Sequence, residues 1–508
     1  MSKIVGIDLG TTFSAISQLN HSGKPEIAPL SDGERIIASA LYFDADKTLV
    51  GEIAQNKAQI DSNRYADFVK RYMGEEYYPH KVNGRQFTPS ELSSIILGKI
   101  KHDFEQMNGP IESAVITVPA YFDEARRQAT MDAAVLAKIP LEGIINEPTA
   151  AGLYYASLFN IEGKTLVFDL GGGTFDVTML DIFKKNGQIQ VEIITSQGDH
   201  QLGGKDFDFE IAKDIDEQFE AKFGVKYSTT PEKKYSLVSE AEIIKKELSK
   251  VDEVTRVIYS ENGSIQYHLD RARFESLIAP FFAKIEMLIE NVIEDSGIRQ
   301  IDQILLVGGS SRIPLVEKTL QSMFSIAPLK VGNLDESVSL GAAIYCGLQN
   351  LEKNATSLNQ ESREELGKLS LTDVANHSYG TIALAHSEEY GEPIQQNSFI
   401  IPKNTKLPAE ITETFYTVVK NQTELKMTVT QGESKDPFGV NILVEKIMEL
   451  PDGRPAHQPI EITYSYDKNQ RMKCVFHDVN ANIREVIELD TKVIDVSEQS
   501  DIDEIVNF

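Results

Sequence analysis

Two aspartates, Asp8 and Asp169, each follow an apolar run and precede a glycine turn that also contains threonine. A carboxylate in such a position can hold a hydrated Mg²⁺ or orient a water molecule. Glycine lets backbone N–H groups approach a phosphate, because no Cβ blocks them. A single copy of this pattern also fits a buried strand that runs into a plain glycine hairpin, so one copy leaves both interpretations open.

The two stretches share one layout. Residues 4–12 read IVGIDLGTT, residues 165–176 read TLVFDLGGGTFD, and the second aspartate stands 161 residues after the first. This spacing predicts two similar lobes, not a solenoid of short repeats. A third glycine turn, in residues 304–314 (ILLVGGSSRIP), also follows an apolar run. Together the three units predict nucleotide binding, although none is a Walker A loop or a G-x-G-x-x-G fingerprint.

Composition limits the class of protein. The chain has 508 residues, which predicts more than one domain, and its net charge of −27 disfavours nonspecific binding to nucleic acid or to anionic membranes. It has neither a cationic start with an apolar segment nor a run long enough to span a membrane. With only Cys346 and Cys474, a disulfide framework is not indicated. We therefore expect a cytoplasmic protein.

Element patterns divide the chain near residue 350. Strands alternate with helices up to that point, which predicts an α/β architecture; residues 51–74 are expected to be helical, and a further helix is expected to start at Thr88. Residues 351–373 are polar and are interpreted as a linker. Beyond them the period becomes two: Leu425, Met427 and Val429 alternate with polar residues, and so do Ile460, Ile462 and Tyr464, as in a half-exposed antiparallel sheet whose hairpin turn is residues 467–470.

Several charged residues have ordinary explanations. Lys70 fits a solvated cation at a helix C-terminus, and Glu147 fits a general base, a ligand of metal-bound water or a charge favoured near a helix start. The row of Glu242, Lys245 and Ser249 has near-helical spacing, which is typical of a solvated helix face.

The chain resembles the seventy-kilodalton heat-shock chaperone family over about residues 3–480, and it looks like a divergent member of the bacterial type. The motifs that carry the resemblance are IDLGTT (7–12), VPAYF (118–122), NEPTAA (146–151), FDLGGGTFDV (168–177), LGG (202–204), VGGSSRIP (307–314), IPKNT (401–405), NQT (421–423) and QGE (431–433).

The resemblance implies a two-lobed, actin/hexokinase-like ATPase followed by an all-β peptide-binding sandwich. The implied domains are the ATPase (1–350), a linker region (351–374), the β-sandwich (375–495) and an acidic tail (496–508). It also implies ATP or ADP, Mg²⁺ and K⁺ as ligands. The implied partners are unfolded polypeptide segments, a J-domain co-chaperone and a nucleotide-exchange factor, with no nucleic acid and no membrane.

Site residues carry over one by one from the matching motifs. The implied catalytic residues are Lys70, Glu147, Asp169 and Thr174. The implied ATP-binding residues are Gly10, Thr11, Thr12, Phe13, Gly171, Gly172, Gly173, Gly203, Gly204, Glu242, Lys245, Lys246, Ser249, Gly308, Gly309, Ser310, Arg312 and Asp335. The implied metal-site residues are Asp8 and Asp169 for Mg²⁺ and Asp176 and Asp206 for K⁺. Pro119 and Arg127 match the family's relay from nucleotide to surface, and Leu425 is the candidate for the peptide pocket.

The sequence departs from the family at informative places. Ser370 and Thr372 replace linker leucines, so ordinary interdomain docking is not expected. No helical lid follows the sandwich, which predicts fast peptide release. Gln470 replaces a hairpin glycine. Lys205, which directly follows Gly203 and Gly204, replaces an acid. Lys246 replaces an arginine over adenine, and an ammonium stacks less well than a guanidinium.

Three hypotheses follow. The first is an ATP-dependent molecular chaperone with slow ATPase activity. The second is a binding module, a nucleotide-binding holdase or co-chaperone whose ATPase is uncoupled or degenerate. The third is a small-molecule kinase on the same fold, which the period-two segment after residue 374 disfavours because such a kinase needs no peptide sandwich.

Overall fold

The structure is a computed structural model that describes residues 3–45, 47–159, 161–329, 332–386, 393–468 and 471–489. Within these residues the chain forms two units, one of residues 3–122 and 129–371 and one of residues 123–128 and 372–489. The predicted acidic tail, 496–508, and two residues of the predicted hairpin turn, Asn469 and Gln470, lie outside the described residues.

The secondary structure of the first unit mixes strands and helices. The strands up to its end are β1 (Lys3–Asp8), β2 (Phe13–Leu19), β3 (Pro25–Ile27), β4 (Ile37–Ala38), β5 (Ala40–Phe43), β6 (Thr48–Val50), β7 (Tyr65–Asp67), β8 (Ile111–Val118), β9 (Leu141–Asn146), β10 (Gly163–Leu170), β11 (Phe175–Lys185), β12 (Gln188–Asp199), β13 (Glu253–Ser260), β14 (Gly263–Asp270), β15 (Gln303–Val307) and β16 (Leu369–Thr372). The α-helices in chain order are α1 (Glu52–Ala58), α2 (Pro89–Asn108), α3 (Glu124–Leu136), α4 (Glu147–Phe159), α5 (Gly204–Phe223), α6 (Pro231–Leu248), α7 (Arg271–Ser296), α8 (Pro314–Phe324), α9 (Ser337–Glu352) and α10 (Gln360–Leu366).

Two sheets with equivalent neighbours form the scaffold of the first unit. In the first sheet β1 pairs antiparallel with β2 and parallel with β8, and the order is β3-β2-β1-β8-β9. In the second sheet β10 pairs antiparallel with β11 and parallel with β15, and the order is β15-β10-β11-β12-β16. The predicted repeat therefore appears as two sheets in which β1 and β10 occupy equivalent positions. Each sheet has its own apolar core.

Two helices, α4 and α9, contact each other at backbone distance between these sheets. A Cβ at Gly341 of α9 would lie 1.8 Å from the carbonyl oxygen of Ala150 in α4, so no other residue fits there. Helix α9 packs on β1, β2 and β8, whereas α4 packs on β10, β11 and β12. A Cβ at Gly152 of α4 would lie 2.7 Å from Leu180 of β11. The contact between the helices thus joins the two halves of the unit.

The prediction of a helix over residues 51–74 was wrong. Only α1 is helical there, and it is followed by a 3₁₀ turn, Ser62–Arg64, the strand β7 and a second 3₁₀ turn, Val69–Tyr72. Helix α1 ends at Ala58, and the Asp61 side chain then accepts a hydrogen bond from the N–H of Asn63 and caps the start of the first 3₁₀ turn. The next residues pair with β5 as a strand. The predicted helix start at Thr88 is confirmed as a capping box with Glu91.

The predicted linker contains regular structure. It includes the end of α9, helix α10 and strand β16, which is the edge strand of the second sheet beside β12. Just before β16, the carbonyl of Lys368 accepts a hydrogen bond from Ile189 N–H at 2.7 Å. The side chains of Ser370 and Thr372 are half-buried. Neither hydroxyl is left buried without a hydrogen-bond partner in this arrangement.

The second unit contains two antiparallel four-stranded sheets. Its strands are β17 (Tyr379–His386), β18 (Pro393–Ile401), β19 (Ala409–Tyr416), β20 (Glu424–Gln431), β21 (Asn441–Glu449), β22 (Pro459–Tyr466), β23 (Met472–Asp478) and β24 (Ile483–Glu488). The sheet orders are β18-β17-β20-β21 and β19-β22-β23-β24, and side chains from both sheets share one apolar core. A mixed α/β unit and an all-β unit fit the predicted fold class.

The predicted alternation holds in β22 but only partly in β20. Thr428 and Thr430, expected on the exposed face, are buried. The Thr428 hydroxyl accepts a hydrogen bond from Ile382 N–H, and the Thr430 hydroxyl donates to the side-chain oxygen of Asn397. Both faces of β20 are therefore covered there, and threonine is tolerated because its hydroxyl is satisfied.

Two further expectations concern the whole chain. Cys346 and Cys474 are both free and buried, so the expectation of no disulfide is confirmed for this pair. Among the described residues, none of the helices combines the length and the apolar character needed to span a bilayer.

Candidate functional site

Four carboxylates and one ammonium meet at the strand ends of the two sheets. Asp8 ends β1, Asp169 stands one residue before the end of β10, and Asp176 is its antiparallel partner on β11. Glu147 is the first residue of α4, where a negative charge is favoured by the helix dipole. The ammonium of Lys70, which is buried, forms an ion pair and a hydrogen bond with Glu147.

Burial and the shared charge sign of these acids both raise their pKa values. Burial, reinforced by the Glu147 charge, raises the pKa of Asp8 to about 7 and that of Asp176 to about 8. The same two causes hold the pKa of Asp169 well above its usual range. A hydrogen bond from the Thr117 hydroxyl, 2.8 Å long, limits the rise at Asp8. The cluster has an excess of acidic groups over cations, which suits a site that receives a metal ion.

The first two glycine turns face each other at close range. A Cβ at Gly172 would lie 2.3 Å from the Thr12 side chain, and a Cβ at Gly173 would lie 2.2 Å from the Thr11 side chain. The segment of Gly203 and Gly204 is attached to the second turn, because the N–H groups of Gly204 and Lys205 donate to the carbonyls of Gly171 and Gly172 at 3.0 and 2.8 Å. The backbone therefore forms a narrow cradle lined by hydroxyl groups.

The cradle has the donors that a triphosphate needs. The Thr11 hydroxyl is buried and has no hydrogen-bond partner among the described residues, which is a costly state in a native interior. Thr174 is also buried, and Thr12 and Phe13 are half-buried beside it in the chain. The turn at Gly10 is fixed, since its N–H donates to Ser14 and its carbonyl accepts from Ser39. These features fit a phosphate group.

The predicted metal residues separate into two groups. Within the described residues, no three His, Cys, Asp or Glu side chains gather closely enough to hold a bare ion. Asp8 and Asp169 suit Mg²⁺ that keeps most of its waters, because that ion binds through one or two carboxylates. Asp206 instead forms an ion pair with Arg71 and accepts a hydrogen bond from Gly203 N–H. Asp176 accepts a hydrogen bond from Tyr121 N–H at 3.3 Å.

Arg71 is a site residue that the sequence analysis missed. Its guanidinium donates two hydrogen bonds to the carboxylate of Asp206, at 3.2 and 2.5 Å. Its Nε also donates to the carbonyl of Gly173 at 3.0 Å. Arg71 therefore joins the segment that carries Lys70 to both glycine segments of the second sheet. Its position next to Lys70 was the one available signal.

The predicted nucleoside residues of α6 lie on one side of that helix but have partners of their own. Lys245 is buried and donates to Asp208 and to the carbonyl of Gly204, each at 2.9 Å. Lys246 pairs with Glu242 at 2.8 Å. Burial acts to raise the pKa of Glu242, but Lys246 and Lys245 outweigh it and hold that pKa below its usual value.

Lys246 and Ser249 complete this side of the site. The ammonium of Lys246 lies 5.7 Å from the centre of the Phe13 ring, so it approaches the first sheet from the second. The hydroxyl of Ser249 donates to the carbonyl of Lys245 at the helix end. The family's arginine position is thus occupied by an ammonium that is exposed and already paired.

The third glycine turn follows β15. Gly308 adopts φ 79°, and a Cβ there would lie 2.7 Å from the Asp169 carboxylate, so glycine is required. Ser310 is buried. Arg312 donates to both carboxylate oxygens of Asp335 at 3.1 and 2.8 Å, and a Cβ at Gly309 would lie 3.1 Å from the same carboxylate. The structure thus brings this turn to the acidic cluster through Gly308.

The remaining predicted residues lie elsewhere. Pro119 follows β8 and is buried, as is Arg127 of α3, which belongs to the second unit. Leu425 on β20 is half-buried, packs against the core of the second unit and pairs across the strands with Met448.

One comparison with known proteins bears on this arrangement. A family model described as Hsp70 protein matches residues 4–83 and 75–507, which is nearly the whole chain.

Proposed function

We propose, from the premise that this chain belongs to the Hsp70 family, that it is an ATP-dependent molecular chaperone. Family membership supports a chaperone role and an ATPase in general. The finer proposal is that ATP binding and slow hydrolysis regulate the binding of extended, unfolded polypeptide segments. It depends above all on one observation: the buried Lys70–Glu147 pair lies in one cluster with Asp8, Asp169 and Asp176, beside facing glycine turns.

Phosphoryl transfer needs positioning and charge neutralisation more than covalent chemistry. Lys70 would supply positive charge to the transferred phosphoryl group, and Glu147 holds the lysine in place. Asp169 would orient the attacking water, while Thr11 and Thr174 would donate hydroxyl hydrogen bonds. Gly10, Thr12, Phe13, Gly171, Gly172 and Gly173 would surround the phosphates.

The metal ions would occupy the acidic side of the cradle. Asp8 and Asp169 would hold Mg²⁺ through its waters, and Asp176 and Asp206 would bind K⁺. Mg²⁺ when bound would neutralise phosphate charge. A bound cation would also relieve the repulsion among carboxylates that raises their pKa values.

The nucleoside would lie farther from the catalytic pair. Gly203, Gly204, Glu242, Lys245, Lys246 and Ser249 would contact it from one side, and Gly308, Gly309, Ser310, Arg312 and Asp335 from the other. The existing pairs of Glu242 with Lys246 and of Asp335 with Arg312 would have to share their hydrogen bonds with the ligand.

The second unit would bind peptide. An extended chain would be held by backbone hydrogen bonds and an apolar pocket that includes Leu425. Pro119 and Arg127 would relay the nucleotide state, with residues 351–374 as the connection. A J-domain co-chaperone and a nucleotide-exchange factor would be partners in the cytoplasm.

The decisive experiment is single-turnover hydrolysis of ATP by the full chain. Replacing Lys70 by alanine should lower the rate constant by about 10²–10³-fold, as is usual when one preorganised electrostatic group is removed. The matched control is Lys318→Ala, which removes an exposed lysine that pairs with Glu275 on the surface. Hydrolysis by the control should equal that of the unmodified protein.

Two results would contradict the proposal. Equal hydrolysis by the unmodified protein and Lys70→Ala, both at background, would favour the alternative of a nucleotide-binding holdase or co-chaperone. Hydrolysis that depends on an added sugar would favour a small-molecule kinase. Peptide dissociation measured with ATP and with ADP then decides the regulation, since no nucleotide effect would mean that the two functions are uncoupled.

A further inference from the structure

Lys205 stands in an unfavourable place for a cation. It is the second residue of α5, and the first turn of a helix carries a partial positive charge. A lysine there is retained only if other contacts compensate. Its own N–H is already used, because it donates to the carbonyl of Gly172 at 2.8 Å. The question is therefore what the side chain contacts.

The ammonium of Lys205 lies over two aromatic rings. It is 4.4 Å from the ring centre of Phe68 and 5.6 Å from that of Phe209. Cation–π contacts of this length are favourable, and more so when the cation has lost water. Phe209 is on the same helix, whereas Phe68 belongs to the segment that leads into Lys70. The side chain therefore connects two segments that are far apart in sequence.

Phe68 itself has an unusual backbone. Its φ of 52° is in the left-handed region, which a bulky residue rarely adopts and which persists only where the surroundings impose it. This conformation begins the 3₁₀ turn Val69–Tyr72, so it sets the direction in which Lys70 and Arg71 leave the backbone. Burial raises the pKa of the adjoining Asp67 carboxyl, and the charge of the Lys205 ammonium opposes that rise.

We propose that Lys205 is a positioning residue for the Lys70 segment, which it holds against the N-terminus of α5 through the Phe68 ring. The neighbouring pair of Arg71 and Asp206 forms the second point of the same attachment. Lys205 thus links the phosphate-facing turn, through its backbone, to the segment of the catalytic lysine, through its side chain. The effect of Lys205 on the rate of ATP hydrolysis rests on the proposed ATPase function.

The test compares three variants of the full chain. Lys205→Met keeps the length and apolar contacts of the side chain but removes the charge, and Lys205→Arg restores a cation. The control is Lys234→Met, because the Lys234 ammonium also lies over the Phe209 ring, 5.7 Å from its centre. For each variant we would measure single-turnover ATP hydrolysis, KM, and amide hydrogen exchange of residues 69–72 without nucleotide.

We expect Lys205→Met to lower the hydrolysis rate constant about three- to thirtyfold, with KM changed less than about twofold. Exchange of residues 69–72 should become at least about threefold faster. Lys205→Arg should stay within about twofold of the unmodified protein in both readouts, and Lys234→Met should change neither.

Unchanged exchange in Lys205→Met would overturn the proposal, and so would an equal effect of Lys234→Met. Exchange is measured without ATP, so it decides the positioning role even if the unmodified protein does not hydrolyse ATP and the proposed function fails. If Lys205→Met does not fold, Phe68→Leu removes the same ring contact, and unchanged exchange in that variant would equally overturn the proposal.

Discussion

Acidic side chains in the two units have pKa values shifted in opposite directions. In the first unit Asp8, Asp169 and Asp176 lie together with Glu147, and burial with mutual repulsion raises their pKa values. In the second unit Asp478 is fully buried, yet the Arg454 guanidinium donates two hydrogen bonds to it and lowers its pKa. The acids of the first unit repel one another, whereas Asp478 is paired with a cation.

The difference separates function from folding. A paired, hydrogen-bonded carboxylate contributes to one folded arrangement, and removing its partner is costly. A cluster of like charges costs stability, and such a cluster is retained where a ligand later neutralises it. On this comparison, removing one of these three aspartates should cost little stability but much activity. Changes at the second pair should do the reverse.

The largest expected effect on stability is at the satisfied pair. Arg454→Met leaves Asp478 buried without its cation and should lower the free energy of unfolding of the second unit by about 3 kcal/mol at pH 7. The measurement is amide hydrogen exchange of β22 and β23 in the full chain. The control Lys426→Met removes an exposed cross-strand pair with Glu445 and should cost less than about 0.5 kcal/mol.

The pH dependence of this loss has a defined sign. Because the folded protein holds the pKa of Asp478 below its usual value of 3.8, the pair stabilises the fold fully above that value. The contribution disappears as pH falls through the folded pKa. The difference between Arg454→Met and the unmodified protein should therefore shrink below about pH 4. A loss that is equally large at pH 3 and pH 7 contradicts the role assigned to the pair.

The next effect concerns an acid of the like-charged cluster. Asp169→Asn removes one of four clustered acids, so the free energy of unfolding without nucleotide should stay within about 1 kcal/mol or rise. ATP hydrolysis should nevertheless fall at least about 10²-fold. Denaturant unfolding and single-turnover hydrolysis measure the two quantities. The contrast is Asp103→Asn, which breaks a buried pair with Lys99 and should lower stability while leaving hydrolysis unchanged.

The smallest effect is expected at a hydroxyl group. Thr11→Val removes a buried hydroxyl that has no partner in the described structure, so stability without nucleotide should rise by about 1 kcal/mol. ATP affinity should fall about five- to tenfold, measured by titration calorimetry. Thr165→Val is the matched control, since its hydroxyl donates to Gly163 and accepts from Gln303, and its loss should lower stability. A Thr11→Val protein that is less stable than the unmodified protein would contradict this expectation.

Much of the fold could be predicted because the sequence contains a repeated pattern. The two Asp-Leu-Gly stretches predicted two similar lobes, and the structure has two sheets in which β1 and β10 have equivalent neighbours. The capping box at Thr88 and the period of two in β22 were also visible as local patterns. Such features depend on neighbours in sequence or on one dominant period, so sequence reasoning finds them.

The rest depends on partners distant in the chain. The contact of Thr117 with Asp8 and that of Arg71 with Gly173 join residues about one hundred positions apart. The segment 51–74 was predicted as helix, but pairing of β7 with β5 and the left-handed backbone of Phe68 exclude a continuous helix there. Local propensity cannot register these tertiary constraints.

The backbone contact between Gly341 and Ala150 has a mechanical consequence. Where two helices touch with no intervening side chain, there is no layer of rotatable groups that could yield to a pull along the line joining them. If the halves on either side rotate about that point, displacement grows with distance from it. Any displacement of Lys70 or Lys246 would then come from rotation about Gly341 and would scale with the distance from it.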